Sequence, residues 1–240
     1  MRAVLLAAGR GNRLRPLTDR LPKCLLEVGG RTVLSRAVAT LADHGVRRFT
    51  VVDGFEAAAV RAALGAEFPR EWFTFVHNAD FDTTNNAFSL LLAQYTAAEP
   101  MLLLDSDIVF DPEVVARLLE ASAPNRLALR TRGGLGDEEM KVVLDEQGRV
   151  ADIGKSLPPE HAVGESVGLE VFAAQAAHDL FATLARRLED PGRRATEWYE
   201  AAFVELIRSG TAVHPVDLED LTCMEIDTVA DLEAARRLFH

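Results

Sequence analysis

Cysteine is scarce: two in 240 residues, Cys24 and Cys223. Two thiols build no disulfide framework and carry no metal-ligand spacing, so a reducing cytoplasm is the simplest setting. Long apolar runs are absent. None approaches the ~20 residues that a membrane-crossing helix needs. Residues 4–8 are too short for a signal peptide, and glycines and arginines follow at once. Basic charge is in the minority, with 26 Lys and Arg against 37 Asp and Glu and a formal net charge of -11. That balance argues against nucleic acid or an anionic membrane as the main partner. It leaves room for an anionic nucleotide, because a local cluster of cations can dominate inside a cleft. His77, His161, His178 and His214 show no mutual metal spacing, and no glycine-flanked serine elbow points to covalent catalysis. Two familiar glycine motifs are also missing. No Gly-x-x-x-x-Gly-Lys-Ser/Thr run occurs, and Gly9-Arg-Gly11 is followed by Leu14 where a dinucleotide fingerprint needs glycine.

What is present is concentrated at the start. The apolar run Ala3-Val-Leu-Leu-Ala-Ala8 enters a loop with two glycines, several arginines and, at its end, Lys23. Glycines let the backbone approach phosphate oxygens, and bare amides donate to them. Gly9, Gly11, Arg13 and Lys23 therefore mark a nucleotide-phosphate site, while Arg10 and Arg15 read as solvated loop charges. Cys24 neighbours Lys23 and reads as an inert buried thiol.

Strand and helix patterns alternate along the first half. Strands are expected at 3–6, 49–53, 72–76 and 101–104. Helices are expected at 33–43, 56–64 and 86–95, and another after Asp111-Pro112 with the aspartate as its cap. This is an α/β pattern: a mostly parallel central sheet with helices on both faces. In the second half, 140–144 and 150–153 flank Asp145-Glu-Gln-Gly148 and read as a small β-hairpin lobe. Strands at 167–172 and 212–216 and helices at 175–188, 198–209 and 229–238 follow. Gly133-Gly-Leu-Gly136 and Asp190-Pro-Gly-Arg193 read as mobile loops. The chain reads as one domain, with 1–130 a nucleotide-binding half and 131–240 an acceptor-binding half.

Ligands of open parallel sheets sit beyond the carboxyl ends of the strands. Lys23, Asp105 and Asp107 follow apolar strands, and Asp227 lies at another apparent strand end in Met224-Glu-Ile-Asp-Thr228. Two carboxylates from distant segments, completed by triphosphate oxygens, suit magnesium. Asp227 also reads as a cap for the helix that follows.

The ordered run Leu6-Ala-Ala-Gly-x-Gly-x-Arg13-Leu-x-Pro-Leu-Thr18, then Pro22-Lys23-Cys-Leu-Leu26, resembles the signature of nucleotidyltransferases that join a nucleoside triphosphate to a phosphorylated sugar or alcohol. The resemblance implies a Rossmann-like, glycosyltransferase-A-like fold. It implies that Leu6, Ala7, Ala8, Gly9, Gly11 and Asp105 line the nucleotide. Arg13 and Lys23 would hold the triphosphate and the reacting phosphorus, and Asp107 and Asp227 the metal, Mg2+. Asp105-Ser106 departs from the many relatives that carry another residue and glycine there.

Further segments resemble the cytidylyltransferase branch that acts on phosphocholine and small phosphonates. They are Asn78-x-x-Phe81-x-x-Thr84-Asn85-Asn86-x-x-Ser89, Asp137-Glu-Glu-Met-Lys141, Ile153-Gly-Lys155, Gly164-Glu-Ser-Val-Gly168 and Glu197-Trp-Tyr-Glu200. This implies Asn85, Asn86 and Ser89 near the base or ribose; from the residues alone, Asn85-Asn86 is a helix start. Lys141, Lys155 and Glu165 are expected to bind the acceptor: the two lysines sit on opposite arms of the hairpin, from which either could reach its phosphate. Trp198 and Tyr199, flanked by Glu197 and Glu200, offer aromatic faces beside carboxylates to an ammonium head, with Glu225 also facing it. The alternative is that Trp198 and Phe203 anchor an amphipathic helix. The expected reaction is magnesium-dependent transfer of CMP from CTP to a small phosphorylated alcohol or phosphonate, with release of pyrophosphate. A sugar-1-phosphate nucleotidyltransferase using UTP, dTTP or GTP is the near rival, and an inactive nucleotide-sensing module the distant one. A homodimer is compatible with this reading.

Overall fold

The computed structural model describes residues 1–239. In chain order its elements are β1 (Arg2–Ala7), β2 (Glu27–Val28), β3 (Arg31–Thr32), α1 (Val33–Asp43), β4 (Phe49–Asp53), α2 (Ala57–Glu67), β5 (Phe73–His77), α3 (Asn86–Leu92), β6 (Met101–Asp105), β7 (Ile108–Phe110) and α4 (Pro112–Glu120). There follow β8 (Arg126–Arg130), β9 (Lys141–Leu144), β10 (Val150–Gly154), β11 (Gly164–Phe172), α5 (Ala174–Arg187), α6 (Pro191–Thr196), α7 (Glu200–Arg208), β12 (His214–Asp217), β13 (Cys223–Glu225) and α8 (Val229–Leu238).

The main sheet runs β10-β9-β11-β6-β1-β4-β5, with β8 paired to β11 and β12 to β8. β1 is central and parallel to both neighbours, Ala3 lying opposite Phe49 on one side and Leu102 on the other. Its side chains alternate between two cores. Ala3, Leu5 and Ala7 pack with Leu34 and Val38 of α1 and Val60 of α2. Val4 and Leu6 pack with Leu90 of α3, Leu180 of α5 and Phe203 of α7. A strand covered on both faces has no polar side to show, which is why 3–8 and 101–104 are unbroken apolar runs. β11 is antiparallel to β6, β8 and β9, so the sheet turns mixed in the second half. The hairpin is present as β9 and β10, and β9 continues the main sheet through β11. Among the described residues no helix is long and apolar enough to cross a membrane.

Several local expectations change. α3 stops at Leu92, and 94–96 form a separate 3-10 turn from which the Tyr95 hydroxyl reaches Thr50 Oγ1 at 2.9 Å. The segment after Asp190 is not a loop: Asp190 caps α6 by accepting from the Gly192 N–H at 2.9 Å, and Pro191 opens the helix. Asp111 precedes α4, but its side chain does not cap it; Oδ2 accepts from the Thr222 N–H at 2.7 Å. The short antiparallel pair β7–β13 was not expected. It sets Ile108 opposite Glu225, and the Ile226 N–H donates to the Asp107 carbonyl at 2.9 Å. Residues 107 and 227 are thereby fixed side by side.

β11 carries an irregularity between Ser166 and Glu170, where Gly168 adopts φ +70°. A Cβ there would lie 2.8 Å from Asp105 Oδ2 and 3.1 Å from Asp105 Cβ. Gly168→Ala is expected to combine left-handed strain with this contact and to destabilise the chain by about 1–3 kcal/mol. Urea unfolding checks it: a lowered midpoint is expected, and an unchanged one contradicts the reading.

Candidate active site

A cavity of about 610 Å³ opens where β1 and β6 end. One wall is the glycine loop, with Leu6, Ala7, Ala8, Gly9, Gly11, Arg13 and Lys23. A second carries Asn85, Asn86 and Ser89 from the start of α3. Asp105, Asp107 and Asp227 lie along the strand ends, and Lys155, Glu165, Trp198 and Glu225 line the part built by the second half of the chain. Residues from all these distant segments therefore share one cleft.

The loop is shaped by its glycines. Gly11 has φ +73°, and a Cβ there would come within 2.8 Å of Lys23 Cβ; Gly9 faces open space. Thr18 Oγ1 donates to the Gly11 carbonyl at 2.7 Å and pins the turn. Arg10 is not a bare solvated charge: it forms a two-pronged pair with Asp82 at 2.6 and 2.8 Å, over the Phe55 ring. Arg15 pairs with Asp19 at 3.5 Å.

At the centre the Lys23 ammonium donates to Asp107 Oδ2 at 2.9 Å and to Asp227 Oδ1. Arg13 Nη2 donates to Asp227 Oδ2 at 2.6 Å. Burial alone would lower the Lys23 pKa, but the two carboxylates outweigh it and raise it above the usual lysine value. Burial opposes the charge on Asp227, yet Lys23 and Arg13 hold it below the ordinary carboxylate range. Asp227 is not the cap of α8. Thr228 and Asp231 form a capping box there, which leaves the Asp227 side chain to the cavity.

Both carboxylates accept from one nitrogen, so their oxygens already surround a single cation-sized point. Two anionic oxygen donors fit a hard divalent cation such as magnesium. Among the described residues no third His, Cys, Asp or Glu completes a cluster. Water and phosphate oxygens would supply the other ligands.

Two expected site residues do not line the cavity. Lys141 is only 1% exposed, and its ammonium donates to the backbone carbonyls of Lys155 at 2.6 Å and Glu139 at 3.3 Å. Its place in β9 opposite Glu165 turns it inward, so it braces the segment that carries Lys155. Tyr199 is fully buried. Its hydroxyl donates to Asp105 Oδ2 at 2.8 Å and its N–H to Asn86 Oδ1 at 3.1 Å. Tyr199 and Phe203, with ring centroids 5.1 Å apart, anchor α7. Trp198 instead stays 44% exposed in the cleft, with the Lys155 ammonium 4.5 Å from its ring centroid. Asn85 accepts from the Asn86 N–H at 2.8 Å and donates to the Thr196 carbonyl at 3.2 Å, so it both starts α3 and ties it to α6.

Sequence reasoning missed other lining groups. Arg130 pairs with Glu165, but it lies on β8, where arginines bracket a Leu-Ala-Leu run too short to show a period. Ser106 Oγ donates to the Leu6 carbonyl at 2.6 Å and locks β6 to β1. Glu138 sits 3.8 Å from Arg13 and 3.3 Å from Lys155. Glu200, already set beside the aromatic pair by the sequence, lines the cavity next to Trp198, whereas Glu197 pairs with Arg187. Burial pushes Glu225 up to about 7, with Asp107 and Asp227 adding to it, and pushes Glu200 up to about 8. Burial also raises Asp105 and Glu170 well above the usual range. It pushes the Cys24 thiol up to about 12, which keeps it unreactive.

A carboxyl with a higher pKa in the folded chain holds its proton longer when folded. The unfolded chain ionises Glu200 near 4.5, so its contribution is fullest below that pH and is lost as pH rises toward about 8. Glu200→Gln removes this slope. The stability of the variant relative to wild type is expected to rise by about 3 kcal/mol between pH 5 and pH 8, read from urea midpoints. A pH-independent difference contradicts the burial argument.

Residues 3–206 match the model of the MobA-like NTP transferase domain. The chain is 32% identical to a CMP-5'-(3-aminopropyl)phosphonate synthase of Streptomyces rubellomurinus, over 98% of this chain and 38% of that protein, so it spans well under half of that relative's length. It is 27% identical to a 2-aminoethylphosphonate cytidylyltransferase of Lancefieldella rimae, over 97% of this chain and 90% of the relative. The fold superposes on the CTP:phosphocholine cytidylyltransferase of Streptococcus pneumoniae with a TM-score of 0.81 at 20% identity, over 99% of this chain and 98% of the other. The chain belongs to the family of MobA-like NTP transferase domains.

Proposed function

We propose that this chain is a magnesium-dependent cytidylyltransferase that moves CMP from CTP to a small phosphonate or phosphorylated alcohol and releases pyrophosphate. The observation that carries the reading is the Lys23 ammonium lying between Asp107 and Asp227 at the foot of the glycine loop. Cations and paired carboxylates at one strand-end rim are what a metal-bound triphosphate requires. The choice of CTP and of a phosphonate-type acceptor is supported by the activities named for the two curated relatives. Two buried free thiols, Cys24 and Cys223, support a reducing, cytoplasmic setting.

An oxygen of the acceptor attacks the α-phosphorus in line. The new P–O bond forms as the bond to the bridging oxygen breaks, and pyrophosphate leaves with that electron pair. The attacking oxygen is already anionic near neutral pH, so the chain needs no general base. It must align two anions that repel each other and offset the charge of the transition state. Backbone amides near Gly9 and Gly11 would donate to phosphate oxygens, Arg13 and Lys23 would face the charge, and Asp107 and Asp227 would hold the metal. Magnesium, when bound, supplies Lewis-acid stabilisation of the phosphate oxygens. Lys155 would meet the acceptor's anionic end, and Asn85, Asn86 and Ser89 would face the nucleoside.

Pyrophosphate release with a panel of triphosphates and acceptors tests this. CTP with a small phosphonate or phosphocholine is expected to lead, and EDTA to abolish turnover until magnesium is restored. Lys23→Met is expected to lower kcat/KM by about 10³-fold. A folded Lys23→Met chain with near-normal turnover, or a preference for UTP with hexose phosphates, would overturn the proposal.

A further inference from the structure

Glu200 is a buried acid without a matching base. It opens α7 and is only 6% exposed, yet it lines the cavity, and its Oε2 has no hydrogen-bond partner. Its surroundings add negative charge. Glu225 lies close enough to raise its pKa, and Glu200 in turn raises Asp105 and Glu170. Lys155 is the cation that opposes this field, but its ammonium is engaged by Glu138 at 3.3 Å and lies over Trp198. A buried carboxyl oxygen with no partner is costly, and such a group is retained where a ligand completes it; a cation bound there draws off the proton that burial favours.

The missing partner must bring both positive charge and N–H donors. A primary ammonium carries three donors on a compact head. A trimethylammonium head carries none and is held instead by several aromatic faces. Among the described residues, two aromatic rings line this cavity. Phe81 packs on Phe55 and under Arg10 at the glycine-loop end. Trp198 is the ring beside Glu200, and Lys155 already covers a face of it. Tyr199, the ring that would have made a pair with Trp198, is turned into the core. The cleft therefore offers hydrogen-bond acceptors where an aromatic cage would be needed for a quaternary head.

We propose that Glu200, with Glu225 beside it, receives the primary ammonium of an ω-aminoalkyl phosphonate or phosphate, and that this acidic pair makes the chain select primary over quaternary ammonium acceptors. The assignment rests on the cytidylyltransferase reading and narrows its acceptor. Glu200 thereby sets specificity at the end of the acceptor remote from the reacting phosphorus, and Trp198 forms the apolar side along which the alkyl chain lies.

The test is pyrophosphate release from CTP with 2-aminoethylphosphonate, its N,N,N-trimethyl analogue and neutral propylphosphonate. For the wild-type chain, kcat/KM for the amino acceptor is expected to exceed that for the trimethyl analogue by at least about tenfold. In Glu200→Gln, the ratio of kcat/KM for the amino over the propyl acceptor is expected to fall by about tenfold or more, chiefly through KM. The wild-type ratio needs no variant, so a misfolded Glu200→Gln chain leaves the test intact. Equal or better use of the trimethyl analogue, or an unchanged ratio in Glu200→Gln, overturns the assignment. CMP transfer to propylphosphonate without an amino preference overturns it while leaving the cytidylyltransferase reading standing. Absence of CMP transfer to any phosphonate or to phosphocholine overturns both.

Discussion

One ammonium between two carboxylates organises the functional end of this molecule. Lys23 joins Asp107, 84 residues away, and Asp227, 204 residues away. Each partner depends on a different piece of the fold. Lys23 sits on a 3-10 turn that packs against Gly11 in its left-handed conformation. Asp107 follows the buried strand β6, and Asp227 follows β13, which pairs with β7. These half-buried charges are tolerated because each is paired; removing one would leave the others partly desolvated and uncompensated. The triad is thus a constraint on the fold as much as a feature of the site.

A second layer of charge lies behind it. Asp105, Glu170 and Glu200 are buried acids, and the raised pKa values follow from their burial and their mutual proximity. Tyr199 meets this layer with its hydroxyl on Asp105, and its backbone N–H reaches Asn86 at the start of α3. The two flanking residues, Trp198 and Glu200, line the cavity. One short stretch of chain therefore touches the start of α3, the strand-end acids and the cavity wall.

Much of this was legible in the sequence. Strands covered on both faces write unbroken apolar runs, so β1, β4 and β6 could be read directly, and the order of glycines, Arg13 and Lys23 marked the phosphate loop. What was not legible depends on partners far along the chain. β7 and β13 are three residues each, too short to show a period, and exist because they pair with each other. β8 opens on Arg126, whose guanidinium is satisfied by the carbonyls of Leu118, Ala123 and Leu119. Arginines at both ends hide the three apolar residues between them. Lys141 and Tyr199 were named as acceptor contacts from residue type, but strand register and helix packing decide where a side chain points, and both turn inward. Asp111 shows the same limit: the residue type fits a cap, while the observed partner is the Thr222 N–H.

A crystal structure of the chain with CTP and magnesium tests the central claim most directly. The geometry predicts the triphosphate under the glycine loop, with the ion on Asp107 and Asp227 and the Lys23 ammonium against the α-phosphate. A triphosphate bound elsewhere, with no ion between those two carboxylates, would contradict it.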